Sequence, residues 1–306
     1  MIAKSRDAET GVDYWSAESI LNHPRFPEAR RAYFDYILAL YGSDTFLNKL
    51  LMEAVRIVIF AVAICLHAGY RADERDSWPT IGNLKKTLSL FRLASPRRIE
   101  QVVARLVQTG YLDSVPAPSD GRARLLMPTE KMLGHDQQWL VAHYMPLATL
   151  FGPQDYQLVL AGDRRFQQVQ RRIAIDFFAR SAAVMLQNPD ILQFLARDAG
   201  IFILIDLASQ ANGGGDEVGL SFSRLGARYG VSRTHVRQLM AAAAAQELVS
   251  WDGGTRRVKL SAPLMASLDR FIGEGMSNHD LTARLANAEL DRASASGRSG
   301  TGQSFS

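Results

Sequence analysis

The chain has 306 residues and a net charge of +4, enough length for two domains or one elongated domain with a sizeable core, and its apolar share is ordinary for a globular protein. A single cysteine, Cys65, lies in an apolar run, which excludes a disulfide framework and marks a buried core thiol. The longest apolar run, residues 57–66, is too short to cross a bilayer, and Met1-Ile2-Ala3-Lys4 opens no signal peptide, so a cytoplasmic protein without a membrane partner is expected.

Residues 1–24 are polar and irregular apart from a short helix at 16–21, with Trp15 packed against the body. Phe26-Pro27-Glu28 opens a helix that reaches Tyr41 with Tyr33, Phe34, Ile37 and Leu38 on its apolar side, and Gly42-Ser43-Asp44 breaks it. Residues 45–68 read as a long helix that turns apolar all round after Arg56, which places it centrally in the core. Gly69 closes it, and a charged loop leads to Pro79. The next helix, 80–91, turns Ile81, Leu84, Leu88 and Leu90 or Phe91 inward, and Leu93-Ala94 makes a turn. Ser95 is an N-cap and Pro96 a first helical residue, for a helix through Ile99, Val102, Val103 and Leu106 to Thr109. Gly110 ends it. Residues 111–115 and 124–127 then pair as a hairpin around Pro116-Ala117-Pro118-Ser119-Asp120-Gly121.

Residues 137–151 and 155–187 are helical, with Trp139, Tyr144, Leu147, Leu150, Ile173, Phe177 and Phe178 as apolar stripes, a kink at Pro146 and a break at Gly162-Asp163. Asn188-Pro189 ends that stretch, Asp190 caps a helix over 191–208, and residues 211–217 form a flexible loop. A short helix over 222–229 is stopped by Gly230. Ser232 caps the following helix, which runs to Gln246 and buries Val236, Leu239, Met240 and Ala243 on one face. Strands at 248–251 and 258–260 flank Asp252-Gly253-Gly254, a hairpin signal. Two terminal helices, 263–276 and 280–292, precede a Ser/Gly-rich tail, 293–306, with too little apolar surface to order itself.

The two halves repeat each other. Ser95 aligns with Ser232, Ile99 with Val236, Val102-Val103 with Leu239-Met240, and Tyr111-Leu112 with Leu248-Val249, all at an offset of 137. An N-terminal arm (1–31) precedes a first unit (32–150). A connecting helix (151–176) leads to a second unit (177–292) and the tail (293–306). Each unit carries helix, long apolar helix, loop, two short helices, hairpin and closing helix. The charge follows the repeat: residues 80–131 and 220–260 are each +5, and the remainder is −6. Two basic segments with one motif are the footprint of a surface that meets phosphates.

Helix, tight turn, helix and basic hairpin together make a winged helix-turn-helix. The chain resembles the bacterial winged-helix regulators of the MarR type, arranged as a tandem duplication. The run from Asp120 to Lys131 resembles that family's wing, with Asp120 and Arg122 matching an Asp-x-Arg pair at the tip. The expected fold is mainly α with small antiparallel β-wings, two winged helix-turn-helix units on a helical scaffold. Dimers of such regulators place recognition helices in successive major grooves, roughly 34 Å apart. The resemblance therefore implies sequence-specific binding of double-stranded DNA by a pseudo-dimeric monomer or a homodimer.

Only the first two turns of a recognition helix reach base edges. That selects Arg97, Arg98 and Gln101 in the first unit, with Arg105 on the backbone, and Arg233, Thr234, Arg237 and Gln238 in the second. Ser95 and Ser232 cap helices and can add phosphate contacts. Lys85, Lys86, Arg122, Arg124, Arg256 and Arg257 suit phosphates or the minor groove. The sequence leaves the role of His235 open, a solvated helix residue being one reading. No phosphate-binding loop, dinucleotide fingerprint or nucleophile triad is present. The six histidines lack metal-ligand spacing: His135 and His143 lie about two turns apart on a helix, too far for one metal. Neither an enzyme nor a cofactor is expected. The resemblance also implies a small aromatic effector of unknown identity. Trp139, Tyr144 and neighbouring Phe residues are its candidate lining, and a packed core accounts for them as well. Two other functions fit tandem winged helices: a plasmid-type replication initiator and a protein-binding adaptor.

Overall fold

The computed structural model describes residues 3–42, 51, 54–92, 94–211, 217–251, 253 and 256–300. Within these residues the chain is mainly helical, with small antiparallel sheets. A two-stranded ribbon, β1 (Ser5–Arg6) and β2 (Asp13–Tyr14), leads into α1 (Ala17–Leu21). Helix α2 (Phe26–Gly42) packs along α6 (Glu130–Phe151), and the apolar α3 (Ala54–Ala68) lies against α8 (Arg164–Ile173). The last helix, α14 (Ala262–Gly300), packs on α1, α6 and α8. These helices form the scaffold. Residues 43–50, expected to hold the break after α2 and the start of the next helix, lie outside the described residues.

The first helical pair is α4 (Ile81–Leu88) and α5 (Pro96–Gln108), followed by a hairpin of β3 (Leu112–Ala117) and β4 (Asp120–Pro128). The second is α12 (Phe222–Tyr229) and α13 (Arg233–Ala245), followed by β6 (Val249–Ser250) and β7 (Arg257–Leu260). A further strand, β5 (Glu217–Gly219), pairs with β7 to give a three-stranded sheet of order β5-β7-β6. Glu217, expected in a loop, is thus a strand residue. Pairing reaches it because Val218 alternates inward between two exposed neighbours. The first pair holds a vestige of this strand: the Leu126 amide donates to the Pro79 carbonyl at 2.8 Å.

Local hydrogen bonds recur at the offset of 137. The Tyr111 amide donates to the Leu106 carbonyl at 2.9 Å, and the Leu248 amide to the Ala243 carbonyl at 3.0 Å. The residue before each donor is left-handed: Gly110 with φ +73° and Glu247 with φ +58°. Arg92 (φ +52°) and Gly230 (φ +68°) turn the chain between the short helices in the same way. Gly226 is required in α12, because a Cβ there would stand 2.7 Å from the Val231 carbonyl oxygen.

Several expected elements differ. The stretch 155–187 is a short 3-10 turn (Gln154–Tyr156), α7 (Gln157–Leu160), α8 and α9 (Phe178–Leu186). The helix over 191–208 is two helices, α10 (Pro189–Leu195) and α11 (Gly200–Gln210), with Ala199 left-handed at φ +57° between them. The elbow needs Gly200, since a Cβ there would meet the Phe194 carbonyl oxygen at 2.1 Å. Asp190 is not a cap. Asn188 holds that position, and the Asp190 carboxylate instead accepts from Ser267 Oγ at 2.7 Å. The two terminal helices are one, because Ser277 and Asp280 are buried on the scaffold face and the backbone never turns outward. Helix also runs through 293–300, where disorder was expected. Ser294 and Ser296 donate to carbonyls one turn back, which satisfies their hydroxyls within the helix. Residues 301–306 of the expected tail lie outside the described residues. Pro146 sits inside α6, which is continuous through it. Leu90 is exposed and Phe91 is the buried member of that pair.

Most buried apolar residues form one cluster, which contains charge, while Trp78, Ala117 and Leu125 form a small second cluster at the first hairpin. The Arg171 guanidinium pairs with Asp136 through two bonds, at 2.6 and 3.0 Å, with both side chains buried. Asp280, fully buried, accepts from Tyr156 Oη at 2.6 Å, from the Trp15 amide at 2.7 Å and from Arg284 Nε at 2.8 Å. No helix among the described residues is long and apolar enough to cross a membrane.

Candidate nucleic-acid interface

Helix α5 forms because Ile99, Val102, Val103 and Leu106 recur on one face and bury there. Its start is set by Ser95, whose Oγ accepts from the Arg98 amide at 3.3 Å, and by Pro96 at the first helical position. Helix α13 copies this arrangement. Val236, Leu239, Met240 and Ala243 are buried, and Ser232 Oγ accepts from the His235 amide at 3.0 Å. The remaining faces stay outside. Arg97, Gln101 and Arg105 are exposed on α5, and Arg233, Thr234, Arg237 and Gln238 are exposed on α13. Arg98 is half-buried. Among the described residues, the side chains of Arg97, Gln101, Arg233, Thr234, Arg237 and Gln238 have no hydrogen-bond or ion-pair partner.

Other candidates are held. Lys85 on α4 is paired with Glu100 on α5, one turn beyond Arg97, so the clasp sets the basic residues of both helices side by side. Lys86 is exposed next to it. Arg105 donates to Gln108 at 2.8 Å. In the hairpin, Asp120 and Arg122 are not an ion pair. The Asp120 carboxylate accepts from the Arg122 backbone amide at 3.1 Å and from Arg75 at 2.8 Å, which pins the tip to the loop before α4. The Arg122 side chain is thereby left exposed. Arg124 lies across the hairpin, donating to the Ser114 carbonyl and, at 3.2 Å, to Ser114 Oγ. Arg256 and Arg257 are exposed on β7 and its approach, with Arg257 3.5 Å from Glu217.

Two residues matter here that sequence reasoning missed. His235 is no solvated bystander: its Nε2 lies 2.7 Å from the Asp198 carbonyl, which can only accept, so α13 is tethered to the elbow between α10 and α11. Asp206 on α11 accepts from Arg228 at 2.9 Å and from Tyr229 Oη at 2.9 Å, fixing α12 to the scaffold. Neither had a local signal, since the partners are 37 and 22 or 23 residues away.

The two histidines set aside for a metal stand apart: His135 packs edge-on to Tyr41 and Phe60, while His143 stacks on Trp139. Among the described residues, no three His, Cys, Asp or Glu side chains are placed to hold a metal ion. Burial pushes the Cys65 thiol up to about 12, as suits a core residue. Comparison with protein-family models, curated proteins and solved structures returned no match for this chain.

Proposed function

We propose that this chain is a sequence-specific double-stranded DNA-binding transcriptional regulator, acting in the cytoplasm without chemistry of its own. In this reading α4–α5 and α12–α13, each with its hairpin, are winged helix-turn-helix units. One observation carries it: twice in the chain, at the same offset, a capped helix exposes arginine and glutamine in its first turns, and Arg97, Gln101, Arg233, Arg237 and Gln238 have no side-chain partner among the described residues. Arginine pairs bidentately with guanine and glutamine with adenine, so these residue types suit base edges. Arg122, Arg124, Arg256 and Arg257 on the hairpins suit phosphates and the minor groove. The different side chains of the two units (Arg97, Arg98, Gln101 against Arg233, Thr234, Arg237, Gln238) suit an asymmetric site.

The test is selection of bound genomic fragments by the full chain, followed by footprinting and by binding at rising salt. A regulator enriches promoter fragments, protects two successive groove segments and loses affinity steeply with salt. Enrichment of one origin with iterated repeats would make it a replication initiator instead. No enrichment, with salt-insensitive capture of protein, would make it an adaptor.

A further inference from the structure

Helices α5 and α13 begin alike, so their residues match one by one. Each starts directly after a serine cap, Ser95 for α5 and Ser232 for α13. Counted from the caps, the fifth residues are Glu100 and Arg237, and the sixth are Gln101 and Gln238. All four are exposed, in the second turn, within the part of a recognition helix that reaches base edges. The sixth position is thus the same in both helices, whereas the fifth carries opposite charge.

The helix that precedes each of them changes in step. Counted from its own cap, Thr80, the fifth residue of α4 is Lys85, and it pairs with Glu100. Counted from Ser221, the fifth residue of α12 is Gly226, which is buried against the Val231 carbonyl and presents no cation to Arg237. Lys85 donates to Oε1 of Glu100, and among the described residues Oε2 has no partner. The Glu100 side chain is 57% exposed, so that second oxygen is open to an outside donor. Phosphates repel a carboxylate, so Glu100 does not suit the DNA backbone. Lys85 offsets that repulsion and holds the carboxylate in place at the base-reading turn.

An ionised carboxylate only accepts hydrogen bonds. In the major groove cytosine presents its N4 amino donor alone, adenine sets the N7 acceptor beside its donor, and guanine and thymine present acceptors. Cytosine is therefore the base that suits Glu100. An arginine only donates, and guanine, with N7 and O6, is its match. We propose that Glu100 and Arg237 break the symmetry of the DNA site. The two half-sites share adenine where Gln101 and Gln238 reach. Where the fifth residue reaches, the first half-site carries cytosine and the second carries guanine. Each half-site is taken in the frame of its own helix, so the assignment holds for any spacing or direction of the two. The chain then has a single orientation on its DNA. This inference rests on the DNA-binding reading and adds to it a residue, Glu100, and the bases that tell the two heads apart.

The test starts from genomic fragments selected by the full chain, with their two half-sites aligned. Duplexes that carry each of the four base pairs at every half-site position are then compared by anisotropy titration. The wild-type chain is expected to prefer cytosine in one half-site and guanine at the matching position of the other, each roughly tenfold over the exchanged pair. Glu100→Arg is expected to turn the first preference to guanine, and Arg237→Glu the second to cytosine, with the adenine preferences of Gln101 and Gln238 unchanged. Thermal midpoints show whether each variant is folded. Glu100→Gln covers the case in which charge reversal harms folding, because it keeps the side-chain shape; it is expected to move the preference from cytosine to adenine. A base preference that stays the same in both Glu100 variants makes Glu100 a partner of Lys85 only and overturns the proposal. Identical bases at that position in both half-sites of the wild-type selection overturn it too, and leave DNA binding intact. A wild-type chain that enriches no DNA overturns the DNA-binding reading itself, and this inference with it.

Discussion

Arginine is a poor choice for the first turn of a helix, where the backbone dipole is positive and acidic residues are favoured by about 0.3–1 kcal/mol each. Helices α5 and α13 have no acidic residue in their first turns and carry Arg97, Arg98 and Arg233 there. The sequence accepts a small loss of stability at both sites to keep cations at an exposed helix start. Two substitutions separate the folding and binding roles. Arg97→Ala, or Arg233→Ala with Arg237→Ala, should leave the unfolding free energy within about 0.5 kcal/mol of wild type. The same changes should lower affinity for the selected DNA tenfold or more, measured by anisotropy titration. Ser95→Ala should do the reverse in part, costing about 1 kcal/mol of stability through loss of the cap. If arginine loss left DNA affinity untouched, these side chains would be solvent-facing only.

Helices were readable from the sequence where their signals are local. The caps at Ser95 and Ser232, the spacing of Val236, Leu239, Met240 and Ala243, and the turn at Gly230 are written within a dozen residues. What was not readable depends on distant partners. Ala199 adopts a left-handed conformation although it is not itself a glycine, and the helices on either side of it are buried in the core. Strand β5 is three residues long and exists by pairing with β7, some forty positions later. The side chains exposed at the candidate interface could be named from the sequence. The tether of His235 could not, since its acceptor is the Asp198 carbonyl, 37 residues away. Anchoring of α12 is the most direct of these long-range effects to test. Asp206→Ala would leave the buried Tyr229 hydroxyl without its acceptor, a cost of about 1–3 kcal/mol by denaturant unfolding. It should also weaken DNA binding more than Arg105→Ala does, because it frees a whole helix rather than one side chain.

The scaffold should lose stability in acid, for a reason that lies at its centre. His143 is pushed down to about 4 and His279 also well below the ordinary 6.5, first by burial and, for His279, then by His143 and Arg171. Both are neutral in the folded chain and would take up protons near pH 6.5 once unfolded. Their contribution is therefore complete above about pH 6.5 and is lost as the pH falls toward about 4. The thermal midpoint should drop between pH 7 and pH 5, and His143→Gln, which can still donate to the Trp139 carbonyl, should flatten that drop. A midpoint curve unchanged by His143→Gln would remove this account. Helix α14 has a consequence of another kind. It begins at Ala262, yet its Asp280 holds the Trp15 amide, 265 residues away, and its inner face covers α1, α6 and α8. On the ribosome, both helical pairs emerge before the helix that closes the scaffold exists. Every nascent chain therefore passes through an interval in which the faces of α1, α6 and α8 that this helix covers are bare. A stop codon ahead of residue 280 would leave those faces bare for good and the Trp15 amide without its acceptor.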